Sequence, residues 1–327
     1  MNTSGENNTG KKTRIRWDWF PVTFLTAFLC CFLWGSASPA IKIAYRLFRI
    51  DAGDAASRIL LAGARFTLAG LMTIVFGSLL SRRFLRPEKR SLPRIFLLAL
   101  VQTVGQYYFF FMALAHTSGV RGSIINASGN FLAILFAVYI FRLEKMTWQK
   151  LLGCVIGFAG ILLVLGGIQG LVSGGALRLE GEGAMLAATV FYAASGCLIK
   201  IFSREENPVV LSGYQFFLGG LILIAVGALM GGKLVFFSPS CTFNLLYLGF
   251  ISAGAYTLWG ILLKYNPVSK VSILGFINPI MGVLLSALFL DEGGEAFSAR
   301  NILALLLVCI GIVVVNFTGR SDCGTDQ

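Results

Sequence analysis

Two similar stretches of apolar sequence, far apart in the chain, decide the fold. The first, LWGSASPAIKIAYR, spans residues 33–46, and the second, FYAASGCLIKIFSR, spans residues 191–204. A second match comes after them in the same order, with ARFTLAGL at 64–71 and YQFFLGGL at 214–221. Matches that recur in one order along a chain indicate an internal repeat.

A third match closes each unit. Residues 130–144 align with residues 278–292 at a fixed offset, and the two stretches end in an acidic residue, Glu144 or Glu292. A loop and a glycine-bearing apolar segment come after each of them. Because the matches extend over five successive apolar segments, the sequence predicts two repeats of five segments each.

The composition indicates which solvent surrounds these segments. The chain has 327 residues, of which 56% are apolar and 13% are charged, and its mean hydropathy is +0.79. Soluble domains carry about 25% charged residues. A water-soluble globule, a disordered chain and a disulfide scaffold are all excluded on this composition, so we expect a protein that lies largely in lipid.

Ten apolar segments are long enough to cross a bilayer. A hydrocarbon layer about 30 Å thick requires about 20 residues of helix, and helices satisfy their own backbone hydrogen bonds in lipid. The predicted spans are residues 22–44, 57–80, 94–115, 118–140, 148–167, 183–202, 208–230, 243–264, 267–290 and 299–318. The corresponding domain boundaries are a tail at 1–21, a first repeat at 22–167, a second repeat at 183–318 and a tail at 319–327.

The net charge of +12 is unevenly distributed between the two predicted sides of the membrane. With the amino terminus in the cytoplasm, 18 lysines and arginines fall on that side and 7 on the other, while Lys42 and Arg65 lie inside spans. Such a bias sets the orientation of a membrane protein. We therefore interpret the charge as topology rather than as a nucleic-acid-binding surface, and we expect both termini in the cytoplasm.

An odd number of spans in each repeat has a further consequence. If the first repeat begins in the cytoplasm, the second must begin outside, so the two repeats are inverted relative to each other. Inverted repeats are typical of secondary carriers, which bind substrate near the middle of the bilayer and open to alternate sides. The repeat pattern thus predicts transport.

The motifs of the two repeats resemble the EamA repeat of the drug/metabolite transporter superfamily. They are WGSASPAIK (34–42), AGARFTLAGL (62–71), ALAHTSGVRGSI (113–124), Glu144, GFAGILLV (157–164), FINPIMGVLLSALFLDE (276–292) and GIVVV (311–315). The resemblance covers nearly the whole chain outside the tails. It implies a ten-helix carrier that moves small polar metabolites or amino acids, often outward, with a cavity lined by helices 1, 3, 4, 6, 8 and 9.

The two repeats differ at one point of this pattern. Asn130 is followed by Phe131, whereas Asn278 in the second repeat is followed by the commoner Pro279. The resemblance implies that the two halves are unequal at this point, where we expect a gate.

Polar residues recur on the helices that the resemblance assigns to the cavity. In helix 3, Gln102, Gln106 and His116 share one face at helical spacing. Amides in lipid must turn toward another helix or toward water, so interhelical hydrogen bonding is the alternative role. The candidate substrate-binding residues are Trp34, Ser38, Gln102, Gln106, Asn126, Asn130, Tyr192, Tyr256, Trp259 and Asn278.

Charged residues inside predicted spans are functional candidates by default. Lys42 lies near the outer end of helix 1, where it can extend to the headgroups, whereas Arg65 lies about 12 Å into helix 2. If they line the route, anionic substrates are favoured. His116 is a third candidate for a charge or gate role, with a solvated loop edge as its alternative. All 15 acidic residues fall in tails or loops, so proton coupling would require His116, Glu144 or Glu292.

Two prolines, Pro39 and Pro279, lie deep within predicted spans. A proline removes a backbone donor and bends a helix. We predict a helix break at each, with free carbonyl groups that can bind substrate or allow flexing.

Other classes of membrane protein fit the sequence less well. An enzyme would need an acid pair, a metal cluster or an activated nucleophile, and we find no catalytic set, metal site or cofactor motif. A channel would need a filter-like polar repeat. The sequence predicts an all-α plasma-membrane exporter of a small metabolite, with amino acids first and amphipathic drugs or other metabolites as the alternative. The expected partners are the bilayer and the substrate, without nucleic acid, and a homodimer is left open.

Overall fold

The computed structural model describes residues 16–167, 178–266, 271 and 274–316, and in this part of the chain it contains helices and no strand. Most of the two predicted tails and the start of the ninth predicted span, at 267–270, lie outside the described residues. The prediction of an all-helical protein is confirmed for the part that is described.

Ten longer helical segments, α1 to α10, are arranged in order along the described chain, and a four-residue helix, Gly293–Ala296, lies between α9 and α10. They are α1 (Phe20–Leu47), α2 (Ala55–Leu80), α3 (Lys89–His116), α4 (Gly119–Ile140), α5 (Trp148–Val164), α6 (Leu179–Phe202), α7 (Pro208–Leu229), α8 (Pro239–Tyr265), α9 (Leu274–Phe289) and α10 (Ala299–Asn316).

Seven of these helices, α1 to α4 and α6 to α8, are long and apolar enough to cross a membrane. The other three are shorter apolar helices, and α5, for example, has 17 residues, which is at the lower limit for a span. A multi-pass membrane protein is therefore confirmed, while the number of ten spans stays a prediction.

The helix bundle is apolar on its outside, and its mostly apolar interior contains a minority of polar side chains. Large apolar side chains such as Leu80, Leu229 and Phe243 are exposed, whereas Arg65 and Gln215 are almost fully buried. Lipid is the solvent in which such a surface is stable, and polar side chains within it must turn inward to find partners.

Equivalent helices of the two repeats pack in equivalent pairs. Helix α1 contacts α8 and α9, just as its counterpart α6 contacts α3 and α4. Helix α2 packs against its own counterpart α7, and α5 packs against α10. Two similar units related by an approximate two-fold axis produce this set of contacts, which leaves α1, α3, α4, α6, α8 and α9 around the centre.

Glycines allow α2 and α7 to approach each other closely. A Cβ atom added at Gly70 would overlap the backbone nitrogen of Phe217, and one added at Gly220 would overlap that of Thr67. Small residues at such contacts let helices in lipid gain packing energy. These glycines belong to the matched motifs AGARFTLAGL and YQFFLGGL. The residues that match between the two repeats are therefore also residues at which α2 and α7 pack.

The two predicted helix breaks are not present in the expected form. Helix α1 continues from Phe20 to Leu47 with Pro39 inside it. Pro279 lies in the first turn of the α-helical part of α9, Ile277–Phe289, where the missing N–H removes no helical hydrogen bond. Helix α1 tolerates the one bond that Pro39 removes because its neighbours pack around it.

Candidate substrate-binding site

A polar cavity lies between the two repeats at the centre of the bundle. The space open to the centres of water molecules is about 70 Å³. The lining residues are Trp34, Gly35, Ala37, Ser38, Arg65, Gln106, Tyr107, Phe110, Ser123, Asn126, Asn130, Tyr192, Tyr256, Asn278, Pro279 and Gly282. The six helices that the family resemblance implied all contribute, and Arg65 adds α2.

Most of the candidate substrate-binding residues lie together around this cavity. Eight of the ten line it: Trp34, Ser38, Gln106, Asn126, Asn130, Tyr192, Tyr256 and Asn278. Two other candidates, Arg65 and Pro279, do so as well. That these residues bind a substrate stays a prediction.

Gln102 is one of the two that lie elsewhere. Both glutamines lie in a π-helical stretch of α3, Ala99–Gln106. Gln106 lines the cavity, whereas Gln102 points toward α7, where its Oε1 accepts a 2.5 Å hydrogen bond from Nε2 of Gln215. For Gln102 the structure favours the interhelical role.

Trp259 is the second residue that does not line the cavity. Its ring packs against that of Trp34, with 5.1 Å between the centroids. Trp34 also contacts Tyr256 at 5.2 Å in an edge-to-face arrangement. Trp259 therefore supports an aromatic wall of the cavity from behind.

Lys42 ends in an ion pair rather than in the headgroups. Its Nζ lies 3.3 Å from Oε1 of Glu292, and both side chains are mostly buried. Glu292 also accepts hydrogen bonds from the backbone N–H groups of Gly119, at 3.1 Å, and Val120, at 2.9 Å. One carboxylate therefore connects the end of α9 to α1 and to the amino-terminal end of α4, where anions are favoured.

An equivalent ion pair lies at the end of α4. Lys200 aligns with Lys42 in the repeated motif, and Glu144 aligns with Glu292. Lys200 donates a short hydrogen bond to Glu144, and Lys150 donates a second one of 3.0 Å to the same carboxylate. Burial alone would raise the pKa of Glu144, but the two lysines outweigh it and lower that pKa below its usual value. Glu144 is therefore ionised at neutral pH.

His116 lies at the end of α3, away from the cavity. Its Nδ1 is 3.8 Å from Oε2 of Glu180, whose side chain is exposed, so its surroundings match the loop-edge alternative. Nearby, the buried Glu182 accepts hydrogen bonds from Thr117, at 3.1 Å, and Arg121, at 3.0 Å. The predicted sixth span begins at residue 183, which places Glu182 in a loop, whereas α6 begins at Leu179.

Arg65 is anchored on one side of the cavity. Only 2% of the residue is exposed. Its Nε donates to the carbonyl oxygen of Leu248 at 3.2 Å, and its Nη2 donates to Oγ of Ser252 at 3.0 Å. The guanidinium carbon lies 5.0 Å from the centre of the Phe66 ring, a distance at which the cation is attracted to the aromatic face.

Two further lining residues, Tyr107 and Phe110, were absent from the sequence-based candidates. Tyr107 forms a 2.5 Å hydrogen bond with Tyr256, hydroxyl to hydroxyl. Tyr107 and Phe110 belong to the run YYFFFMALA, in which no polar periodicity marks one face. Ser123, which the sequence places with Asn126 and Asn130 on one polar face of helix 4, also lines the cavity.

Long apolar helices in two packed repeats, around a buried cavity, define the architecture of a multi-pass membrane protein. The family is shown directly: the model of the EamA-like transporter family matches residues 22–166 and 179–317, so the chain belongs to that family. The resemblance to the EamA repeat of the drug/metabolite transporter superfamily is confirmed.

Two relatives whose names state a function are transporters. The chain is 26% identical over 271 residues to a probable amino-acid metabolite efflux pump of Escherichia coli, covering 78% of this chain and 84% of the pump. It is 26% identical over 308 residues to an S-adenosylmethionine/S-adenosylhomocysteine transporter of Chlamydia muridarum, covering 89% and 90%. A solved crystal structure shares the fold with a TM-score of 0.64 and 20% identity, covering 92% of this chain and 99% of the other.

Proposed function

We propose that the protein is a secondary transporter that exports a small polar metabolite across the plasma membrane by alternating access, with an amino acid as the first substrate to test. The observation that carries the proposal is the buried polar cavity between equivalent helices of the two repeats. Polar groups that face such a cavity can replace the water shell of a substrate within the bilayer, which is what a carrier requires.

The chemistry of the cavity supports a polar substrate. Amides of Gln106, Asn126, Asn130 and Asn278 supply donors and acceptors around it. The two relatives are named for amino-acid metabolites and for S-adenosylmethionine and S-adenosylhomocysteine, and both of the latter molecules contain an amino-acid moiety.

The two ion pairs supply a mechanism for alternating access. Lys42–Glu292 and Lys200–Glu144 each connect the first repeat to the second, and they lie at the ends of α9 and α4. In inverted repeats these ends fall on opposite sides of the membrane. Breaking one pair while the other holds would open the cavity to one side at a time. We also propose that both termini lie in the cytoplasm, as the distribution of lysine and arginine favours.

Export of amphipathic drugs is the alternative, because the rings of Trp34, Tyr107 and Tyr256 offer an aromatic wall. Purified protein in liposomes distinguishes the candidates. Liposomes loaded with unlabelled amino acids should accumulate the labelled amino acid by exchange, with a rate that saturates. Exchange of an aromatic dye without amino-acid exchange would support the alternative, and a flux that rises linearly with concentration would reject a carrier.

A further inference from the structure

Unpartnered polar atoms are concentrated at the cavity. Seven buried side-chain nitrogen or oxygen atoms lack a hydrogen-bond partner in the described part of the chain. Three of them belong to residues that line the cavity: Nη1 of Arg65, Nε1 of Trp34 and Oε1 of Gln106. Buried polar groups in proteins nearly always have a partner in the protein, in ordered water or in a ligand, so these three atoms are the groups at the cavity that are free to bind a ligand.

Arg65 also lacks a compensating charge. Among the described residues its neighbours are a hydroxyl, a carbonyl oxygen and three aromatic rings, and none of the ion pairs includes it. A guanidinium away from water is normally paired with an anion, and its planar shape suits a carboxylate. The bonds to Leu248 and Ser252 use Nε and Nη2, which leaves Nη1 for a ligand.

Trp34 and Gln106 complete the pattern of donors and acceptors. The indole N–H of Trp34 can only donate, as Nη1 of Arg65 does, so both require an acceptor on the ligand. Only 5% of residue Gln106 is exposed. Its amide oxygen has no partner and requires a donor. A ligand that satisfies all three atoms carries an acceptor, best an anion, and a separate donor such as an ammonium or hydroxyl group.

We propose that Arg65 and Trp34 bind the carboxylate of the transported substrate and that Gln106 accepts a hydrogen bond from its ammonium or hydroxyl group. The proposal rests on the transport function above and names its substrate class, small carboxylates with a neighbouring donor, of which α-amino acids are the simplest. The same positive charge repels cationic amphipathic molecules from the cavity.

Ligand-induced thermal stabilisation of the purified wild-type protein tests the carboxylate requirement. The probes are the protein amino acids, the matching amino-acid amides and the matching carboxylic acids without the amine. We expect at least one amino acid to raise Tm, its amide to give no shift, and its deaminated acid to give a smaller shift. Equal stabilisation by the amino acid and its amide would overturn the proposal, and so would the absence of a shift with every carboxylate.

Substitutions of Arg65 test whether this residue binds the carboxylate. We expect Arg65→Gln to raise the apparent Kd for the stabilising amino acid by about tenfold or more, and Arg65→Lys to recover part of the affinity because the charge is kept. Gln215→Met is the matched control, since Gln215 occupies the equivalent position of α7 and does not line the cavity. It should lower Tm without changing the apparent Kd. An unchanged Kd in both Arg65 variants would reject the assignment.

Transport in liposomes separates this proposal from the proposed function. Stabilisation that requires a carboxylate, without any saturable exchange, would keep the binding site and reject the carrier. Saturable exchange of compounds that lack a carboxylate, unaffected by Arg65→Gln, would keep the carrier and reject the binding site. Exchange restricted to carboxylates and lost in Arg65→Gln supports both.

Discussion

Arg65 of α2 and Gln215 of α7 occupy equivalent positions in the two repeats. Each hydrogen bonds to an equivalent helix of the other repeat, Arg65 to Ser252 of α8 and Gln215 to Gln102 of α3. Ser252 and Gln102 lie at the same offset, so the two contacts are counterparts. Gln215 uses both ends of its amide, because its Oε1 accepts a 2.9 Å bond from Thr103, whereas Arg65 keeps one nitrogen unpartnered at the cavity.

The difference separates scaffold from ligand chemistry. The second repeat uses this position to join two helices, and a fully satisfied pair of buried amides makes the core rigid. The first repeat uses the same position to join two helices and to present a charge to the cavity. In the carboxylate site proposed above, the two units keep one fold while only one of them supplies the charge that selects the substrate.

The two ion pairs, Lys42–Glu292 and Lys200–Glu144, also differ in how their carboxylates are bonded. The carboxylate of Glu292 is bonded to Lys42 and to the backbone N–H groups of Gly119 and Val120, all in the first repeat, and it has no bond within its own repeat among the described residues. Glu144 bonds to Lys200 across the repeats and to Lys150 within its own. Separation of the repeats would leave Glu292 unpaired but Glu144 still paired.

The comparison depends on the shared α2–α7 contact, and its disruption should have the largest effect. Gly70→Leu places side-chain atoms where the backbone of Phe217 already overlaps a Cβ position. Overpacking costs about 1–3 kcal/mol and more when backbone must move, so we expect loss of folded protein, measured by size-exclusion chromatography in detergent. Gly196→Ala is the control, because nothing lies within 4 Å of its Cβ position. A monodisperse Gly70→Leu variant would show that the two repeats are not held together at this contact.

The next largest effect should distinguish the two ends. Glu292→Gln removes a charge that bonds to Lys42 and to a helix amino terminus, and we expect a loss of about 1–3 kcal/mol in unfolding free energy. Glu144→Gln should cost less than about 1 kcal/mol, because its carboxylate is 31% exposed and exposed pairs contribute little.

Denaturant unfolding in detergent measures both variants. Glu88→Gln serves as a control, since its pair with Arg90 is 65% exposed and its loss should not be detectable. Equal losses for Glu292→Gln and Glu144→Gln would contradict the asymmetry of the two ends.

The fold could be predicted to a large extent from the sequence, because apolar length and repeated motifs depend on a single physical requirement. Backbone groups in lipid must be bonded internally, so a long apolar run such as Ala55–Leu80 has only one stable form. The matched glycine motifs also lie where α2 and α7 pack. The helix break expected at Pro39 was wrong because tertiary packing overrides a single missing bond.

The cavity could be predicted only in part, because it depends on side-chain direction. Residues at α-helical spacing, such as Asn126 and Asn130, lie together as expected. Gln102 bonds to Gln215 of α7 although it shares a predicted face with Gln106, and residue spacing alone does not show which neighbour each amide contacts. The partner of Lys42 was not identified either, because Glu292 is 250 residues away along the chain.

A finer test compares the two counterpart contacts directly. Ser252→Ala removes the hydroxyl that holds Nη2 of Arg65, so we expect KM for the carboxylate substrate to rise about 3- to 10-fold with little change in Tm. Gln102→Leu leaves Gln215 unsatisfied, so we expect a loss of about 1–3 kcal/mol in stability with KM unchanged. Exchange assays and thermal unfolding on the same preparations give both values. A KM effect in Gln102→Leu equal to that in Ser252→Ala would remove the distinction between scaffold and site.

The last comparison concerns two tryptophans: Trp34 lines the cavity, and Trp259 packs behind it. Trp34→Phe keeps an aromatic ring but removes the unpartnered indole N–H, and the loss of one hydrogen bond to a carboxylate should lower affinity about 3- to 10-fold. Trp259→Phe keeps the ring contact behind Trp34 and should change affinity by less than about twofold. If Trp259→Phe weakened binding as much as Trp34→Phe does, ring packing rather than hydrogen bonding would determine affinity, and Arg65 would be the one donor left to explain a carboxylate requirement.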